Sequence, residues 1–163
     1  MFESIDWVSV VVMGIGATLL LDVWSFMLAK VFAVSSLNFC LVGRWVSLMR
    51  TGQFRHTAID KAKAQNKECA LGWLIHYLVG IIFALVFLMV MPNNWLESPT
   101  FWQALFFGVL TVCMPFFVMQ PALGLGIAAR NTEKPVFARV KSCAAHCVFG
   151  IGLYFSALLL VIF

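Results

Sequence analysis

Four long apolar stretches separated by short polar segments organise the chain, over residues 5–29, 70–91, 101–129 and 140–163. Each is long enough to cross the ~30 Å hydrocarbon layer of a bilayer, which takes about 20 helical residues. The pattern predicts an all-α integral membrane fold, one domain over residues 1–163 with four transmembrane helices in a bundle. Residues 30–69 are the longest non-spanning segment. Its first half places Leu37, Leu41, Trp45 and Leu48 on one helical face, while Asn38, Arg44, Ser47 and Arg50 mostly turn away. That periodicity predicts a short helix lying in the membrane interface or packed beneath the bundle. From Thr57 to Glu68 the composition becomes polar and charged, which predicts a solvated helix leading into the second span.

Breakers and caps mark the element ends. Pro92-Asn93-Asn94-Trp95 reads as a turn with an interfacial Trp. The third span starts either with Ser98 as N-cap and Pro99 at the first helical position, or with a capping box of Thr100 and Gln103. Further along, Pro115 and Pro121 each remove a backbone donor, which predicts kinks and frees carbonyls near Thr111 and Phe117. Asn131-Thr132-Glu133-Lys134-Pro135 forms the turn before the last span.

Charge then orients the spans. All eleven Lys and Arg residues fall in two segments: Lys30, Arg44, Arg50, Arg55, Lys61, Lys63 and Lys67 in the first, Arg130, Lys134, Arg139 and Lys141 in the second. Short basic loops stay on the cytoplasmic side of an inside-negative membrane, so both loops are expected inside and both termini outside. The start lacks the positive region of a secretory signal, and the first span is expected to be kept. With a net charge of +4 gathered on one surface, the expected partners are anionic lipid headgroups. No nucleic-acid motif is present, and a homo-oligomer is left open. Composition agrees, since 63% of residues are apolar and 11% charged, against about 25% charged in an ordinary soluble domain. Five cysteines are an odd number, and Cys40, Cys69, Cys143 and Cys147 fall near the cytoplasmic face with Cys113 mid-span. A reducing compartment and buried positions both argue against a disulfide framework, leaving most of them as small apolar core residues.

The candidate chemistry lies inside the spans. Each carries one strongly polar residue in its cytoplasmic half, set in a row of small residues at four-residue spacing: Gly14, Thr18 and Asp22; Gly72, His76, Gly80 and Ala84; Gln120, Gly124 and Ala128; Ser142, His146 and Gly150. Small side chains let helices approach closely. Counting the rise from the inner loops puts Asp22, His76, Gln120 and His146 at about the same depth, roughly 8 to 15 Å in, so one inward-facing layer is expected. A central Asp costs roughly 2.5 to 3.5 kcal/mol on insertion scales, and Asp22 is expected to pair, most simply with a histidine. The plainer reading is interhelical hydrogen bonding worth about 0.6 kcal/mol per group, and it suits Gln120 taken alone.

Three functions can use such a layer. A small transporter or channel would relay a proton or ion through it, with the kinked third span as the moving part. A haem would take His76 and His146 as axial ligands, the glycines four residues on clearing room for the macrocycle. A transition metal would draw on His76, His146, Asp22 and Cys143 or Cys147. Transport is the preferred reading, and a non-catalytic interaction or accessory protein with a purely structural layer is the alternative. The chain carries no phosphate loop, dinucleotide fingerprint, nucleophile elbow or zinc-protease motif, which disfavours an enzyme.

Several stretches resemble a bacterial family of small inner-membrane proteins, a domain of unknown function, DUF2938. They are residues 36–45 (SLNFCLVGRW), Phe54-Arg55-His56, residues 68–73 (ECALGW) and residues 115–126 (PFFVMQPALGLG). The resemblance implies a bacterial inner-membrane setting and brings no activity, substrate or cofactor. Arg44, Arg55 and His56 on the cytoplasmic surface would then bind an anionic headgroup or a soluble partner, or form a plain cationic rim.

Overall fold

The structure, a computed structural model, describes residues 6–162. Every regular element in that range is helical: α1 (Trp7–Phe32), α2 (Phe39–Met49), α3 (Glu68–Val90), α4 (Phe101–Leu110), the single turn α5 (Gln120–Ala122) and α6 (Pro135–Ile162). Short 3-10 turns lie at Ile59–Lys61, Trp95–Glu97 and Ile127–Ala129, and a π-helical turn covers Pro115–Met119. Four segments are long and apolar enough to cross a membrane: Trp7–Phe32, Glu68–Val90, Phe101–Ala122 and Pro135–Ile162. Large apolar side chains are widely exposed, Trp102 at 75% and Phe106, Phe26 and Val140 above half, an exterior suited to hydrocarbon rather than water.

The chain divides into two compact units. One comprises the residues through Ser36, Tyr77–Thr111 and the residues from Ala144 on. Asp6 starts α1 by accepting from the Val8 and Ser9 amides at 3.1 and 3.3 Å. Met13, Ala17, Phe87, Trp95, Ala104, Phe149 and Leu153 are among the buried side chains of the core. Small residues set the helix crossings. A Cβ on Gly14 would stand 2.5 Å from the Ile81 Cα, and one on Gly152 would stand 2.6 Å from the Ala17 Cα. At the α4–α6 crossing, a Cβ on Gly108 would overlap the Gly150 backbone. Such closeness brings many atoms of neighbouring helices into van der Waals contact. Of the two predicted starts for the third span, the second matches in position but not as a capping box: Thr100 is the N-cap residue of α4 without a side-chain cap bond. Its hydroxyl bonds the Gln103 carbonyl oxygen, which also accepts from Trp95 Nε1 at 2.6 Å, so both side chains serve Trp95 rather than the helix amides.

The other unit comprises Leu37–His76 and Val112–Cys143. Asn38 caps α2, as its carbonyl oxygen accepts from the Cys40 amide at 3.0 Å. Here α2 lies against the start of α3 with almost no side-chain spacing, since a Cβ on Gly43 would overlap the Glu68 carbonyl and one on Gly72 the Phe39 carbonyl. Arg44 locks the pair through a fork to Glu68, with Nε to Oε2 at 2.9 Å and Nη2 to Oε1 at 2.8 Å.

Three expectations are corrected in this unit. The helix expected over Thr57–Glu68 is a single 3-10 turn, because Arg44 Nη1 gathers the Ile59, Asp60 and Ala62 carbonyls at 3.2, 3.1 and 2.9 Å, which a helix would commit to its own ladder. Cys40 and Cys69 are joined in a disulfide. The expectation against one rested on a reducing compartment and on buried positions, whereas the Gly43 and Gly72 contacts bring the two helix starts together. Third, the span expected over residues 101–129 does not remain helical. α4 ends at Leu110, the π-helical turn follows, and after Ala122 the chain turns through Gly124 at φ +92° and Gly126 at φ +75°.

Candidate functional site

Each polar residue of the spans has a local partner. Asp22, half-buried on α1, accepts a hydrogen bond from Tyr77 Oη at 2.8 Å. On α6, His146 Nδ1 lies 2.7 Å from Thr111 Oγ1, and that hydroxyl also donates to the Gly108 carbonyl at 2.5 Å. A hydroxyl has one proton to give. With it committed to Gly108, His146 Nδ1 must carry the hydrogen and donate to Thr111, which leaves Nε2 as the acceptor nitrogen. Gln120 is 5% exposed; its Nε2 reaches Ser142 Oγ at a long 3.4 Å, and its Oε1 is buried without a hydrogen-bond partner among the described residues. His76 stacks on Phe39, ring centroids 4.1 Å apart, with the edge of Trp73 at 5.8 Å.

Sequence reasoning did not single out Tyr77 or Thr111. The signals were present: Tyr77 follows His76 directly, and Thr111 lies three residues beyond Gly108, on the glycine-lined face that meets α6. Gly80 and Gly150, which a haem would need for space, are filled by helix crossings, Gly80 against Gly14 and Thr18 and Gly150 against Ala104 and Leu105. Among the described residues no group of three or more His, Cys, Asp or Glu side chains is gathered to hold a metal ion. Cys143 and Cys147 are half-buried free thiols, and Cys113 is an exposed one.

A second feature lies within the unit that holds the broken third span. Residues 55–57 run beside residues 117–131 and enclose a cleft of about 570 Å³ lined by Arg55, His56, Thr57, Phe117, Pro121, Gly124, Gly126, Ile127, Arg130 and Asn131. Backbone bonds join its walls, with the His56 amide donating to the Ala122 carbonyl at 2.8 Å and the Ile59 amide to the Leu123 carbonyl at 3.2 Å. Gly124 is required twice over, by its positive φ and because a Cβ would overlap the Thr57 carbonyl. Asn131 holds the turn from the other side, its amide donating to the Leu125 carbonyl at 2.9 Å and its Nδ2 to the Gly124 carbonyl at 3.3 Å. Arg55 and His56 of one stretch and Phe117, Pro121, Gly124 and Gly126 of the other, distant in sequence, thus line one cleft.

The profile of the family described as "Protein of unknown function (DUF2938)" matches residues 11–160. The chain belongs to the DUF2938 family. No curated protein and no solved structure matches it. The matched region of this DUF2938 chain takes in both the polar span residues and the cleft.

The three residues expected on one surface, Arg44, Arg55 and His56, divide by role in the DUF2938 fold. Arg44 is committed to α3, and its hydrogen bonds to Glu68 hold the guanidinium pKa above its ordinary value. Arg55 and His56 instead line the cleft with Arg130, which sequence reasoning had not grouped with them. His56 Nε2 is buried and has no hydrogen-bond partner among the described residues.

Proposed function

We propose that this DUF2938 protein is a multi-pass protein of the bacterial inner membrane that works as a small transporter or channel, passing a proton or small solute along its third span. The observation that carries the reading is Gln120: its Oε1 is buried without a donor where the span changes from a π-helical turn to a single α-turn. Irregular backbone at membrane depth is tolerated where it is buried in protein or lines water, and here it lies in the C-terminal third of the Phe101–Ala122 span. An amide oxygen held this way suits a ligand that donates a hydrogen bond, such as water, a hydrated proton or a small hydroxylated solute. Asp22 with Tyr77 and His146 with Thr111 add hydrogen-bonded groups able to hold or pass protons on other spans. The cation pattern supports an orientation with the basic loops in the cytoplasm, facing anionic headgroups, and both termini external.

Proton flux into proteoliposomes, followed with an entrapped pH-sensitive dye under an imposed potential, tests the reading. Wild-type protein is expected to conduct, and Asp22→Asn and Gln120→Leu are expected each to lower flux at least about tenfold while the protein stays folded by circular dichroism. A wild-type protein that moves no protons or small solutes, or flux unchanged in both variants, would favour the accessory-protein alternative, in which these groups only tie helices together.

A further inference from the structure

The cleft beside residues 55–57 is lined by a set of side chains other than Asp22, Gln120 and His146 and has its own chemistry. Arg55 and Arg130 line it, no carboxylate does, and neither arginine forms an ion pair among the described residues. This is the opposite of Arg44, whose donors are committed to Glu68 and three carbonyls. His56 adds a buried Nε2 without a partner, and its main chain is fixed by the bond to Ala122, so the ring stands in a backbone-defined place. Buried polar atoms in folded proteins are almost always paired, and one that is not calls for an explanation, a bound water or ion being one.

These groups select a ligand class. Guanidinium groups only donate, and their planar fork matches the oxygens of a tetrahedral or planar anion. Imidazole and the Asn131 side chain complete a set that suits an anion with several acceptor oxygens. The volume of about 570 Å³ lies within the ~300–1,000 Å³ of small-molecule sites. Phe117 and Ile127, both exposed and apolar, line the same cleft, so a charged head with an apolar continuation can be seated as well as a free ion.

The geometry points to this cleft as a binding site for a phosphate-type anion, gripped by Arg55, Arg130 and His56. Free phosphate and a phospholipid headgroup share that chemistry, and the two arms of one experiment separate them. The full chain is purified in detergent and its thermal unfolding followed against inorganic phosphate in one arm and short-chain phosphatidylglycerol in the other, at constant ionic strength. A saturable rise in unfolding temperature is expected with at least one probe, because a ligand that binds only the folded state stabilises it. Response to phosphate identifies a soluble anion, and response to the lipid alone identifies a headgroup. Arg55→Gln with Arg130→Gln is expected to weaken the apparent affinity at least about tenfold, as loss of charge-assisted hydrogen bonds requires. Lys61→Gln with Lys63→Gln removes the same charge outside the cleft and is expected to leave it unchanged. His56→Phe keeps the ring volume and is expected to weaken binding on its own, which preserves the test if the arginine variant does not fold. No saturable response to either probe, or an equal loss in the two double variants, would overturn the assignment.

Discussion

Thr111 shows how much one hydroxyl can determine. It gives its proton to the Gly108 carbonyl and so sets which nitrogen of His146 carries a hydrogen. Nitrogen-15 NMR of histidine-labelled protein is therefore expected to show His146 protonated at Nδ1. In Thr111→Val the signal should lose that preference, and leaving Nδ1 without an acceptor should cost about 1–3 kcal/mol of stability. A wild-type Nε2–H tautomer would contradict the bond network. Tyr77 plays the matching part for Asp22, a carboxylate whose placement in a span is otherwise expensive.

At the scale of elements, the turn after the third span is the most demanding piece of backbone. Gly124, Gly126, Ala128 and Ala129 all have positive φ within six residues. Only a short turn made this way returns the chain so that Asn131 can bond the Leu125 and Gly124 carbonyls. Two glycines separate strain from crowding. Gly52 has φ +77° with open space around it, so Gly52→Ala is expected to cost only about 1 kcal/mol, the conformational penalty alone. Gly124→Ala adds overlap with the Thr57 carbonyl and is expected to cost more, about 2–4 kcal/mol, with the cleft opened. Equal losses of unfolding temperature in the two variants would show that residues 55–57 do not press on the turn.

The whole molecule shows where local pattern suffices. Length and apolarity belong to a segment itself, so α1, α3 and α6 stand close to their expected runs, and the α2 periodicity was legible within two residues of its start. Pro115 and Pro121 announced a break in the third span, while its π-helical form and the turn after Ala122 depend on neighbours. The missing helix before Glu68 and the Cys40–Cys69 bond depend on neighbours too, since Arg44 and the glycines of α2 and α3 impose them. In the candidate site, Asp22, Gln120 and His146 could be picked out by their cost in a membrane. Their partners Tyr77 and Thr111, and the grouping of Arg130 with Arg55, could not, because ordinary residues acquire those roles only by proximity. The proposed orientation rests on charge over the full chain: a reporter fused after Phe163 is expected to be active outside and one inserted near Gln65 inside, and the reverse pattern would overturn the reading.

The Cys40–Cys69 bond also turns the intervening chain into a closed ring. The two cysteines are 29 residues apart, and Arg44, Arg55 and His56 all ride on the ring. Closing a loop of that length restricts the unfolded chain by about 3–4 kcal/mol on an entropic account. A cut anywhere inside it leaves one covalent piece under oxidising conditions and two under reducing ones. Cytoplasmic thiols open such bonds and an external compartment preserves them, so the covalent state of the ring in intact cells is an independent check on the proposed cytoplasmic placement of the basic loop, which predicts an open ring.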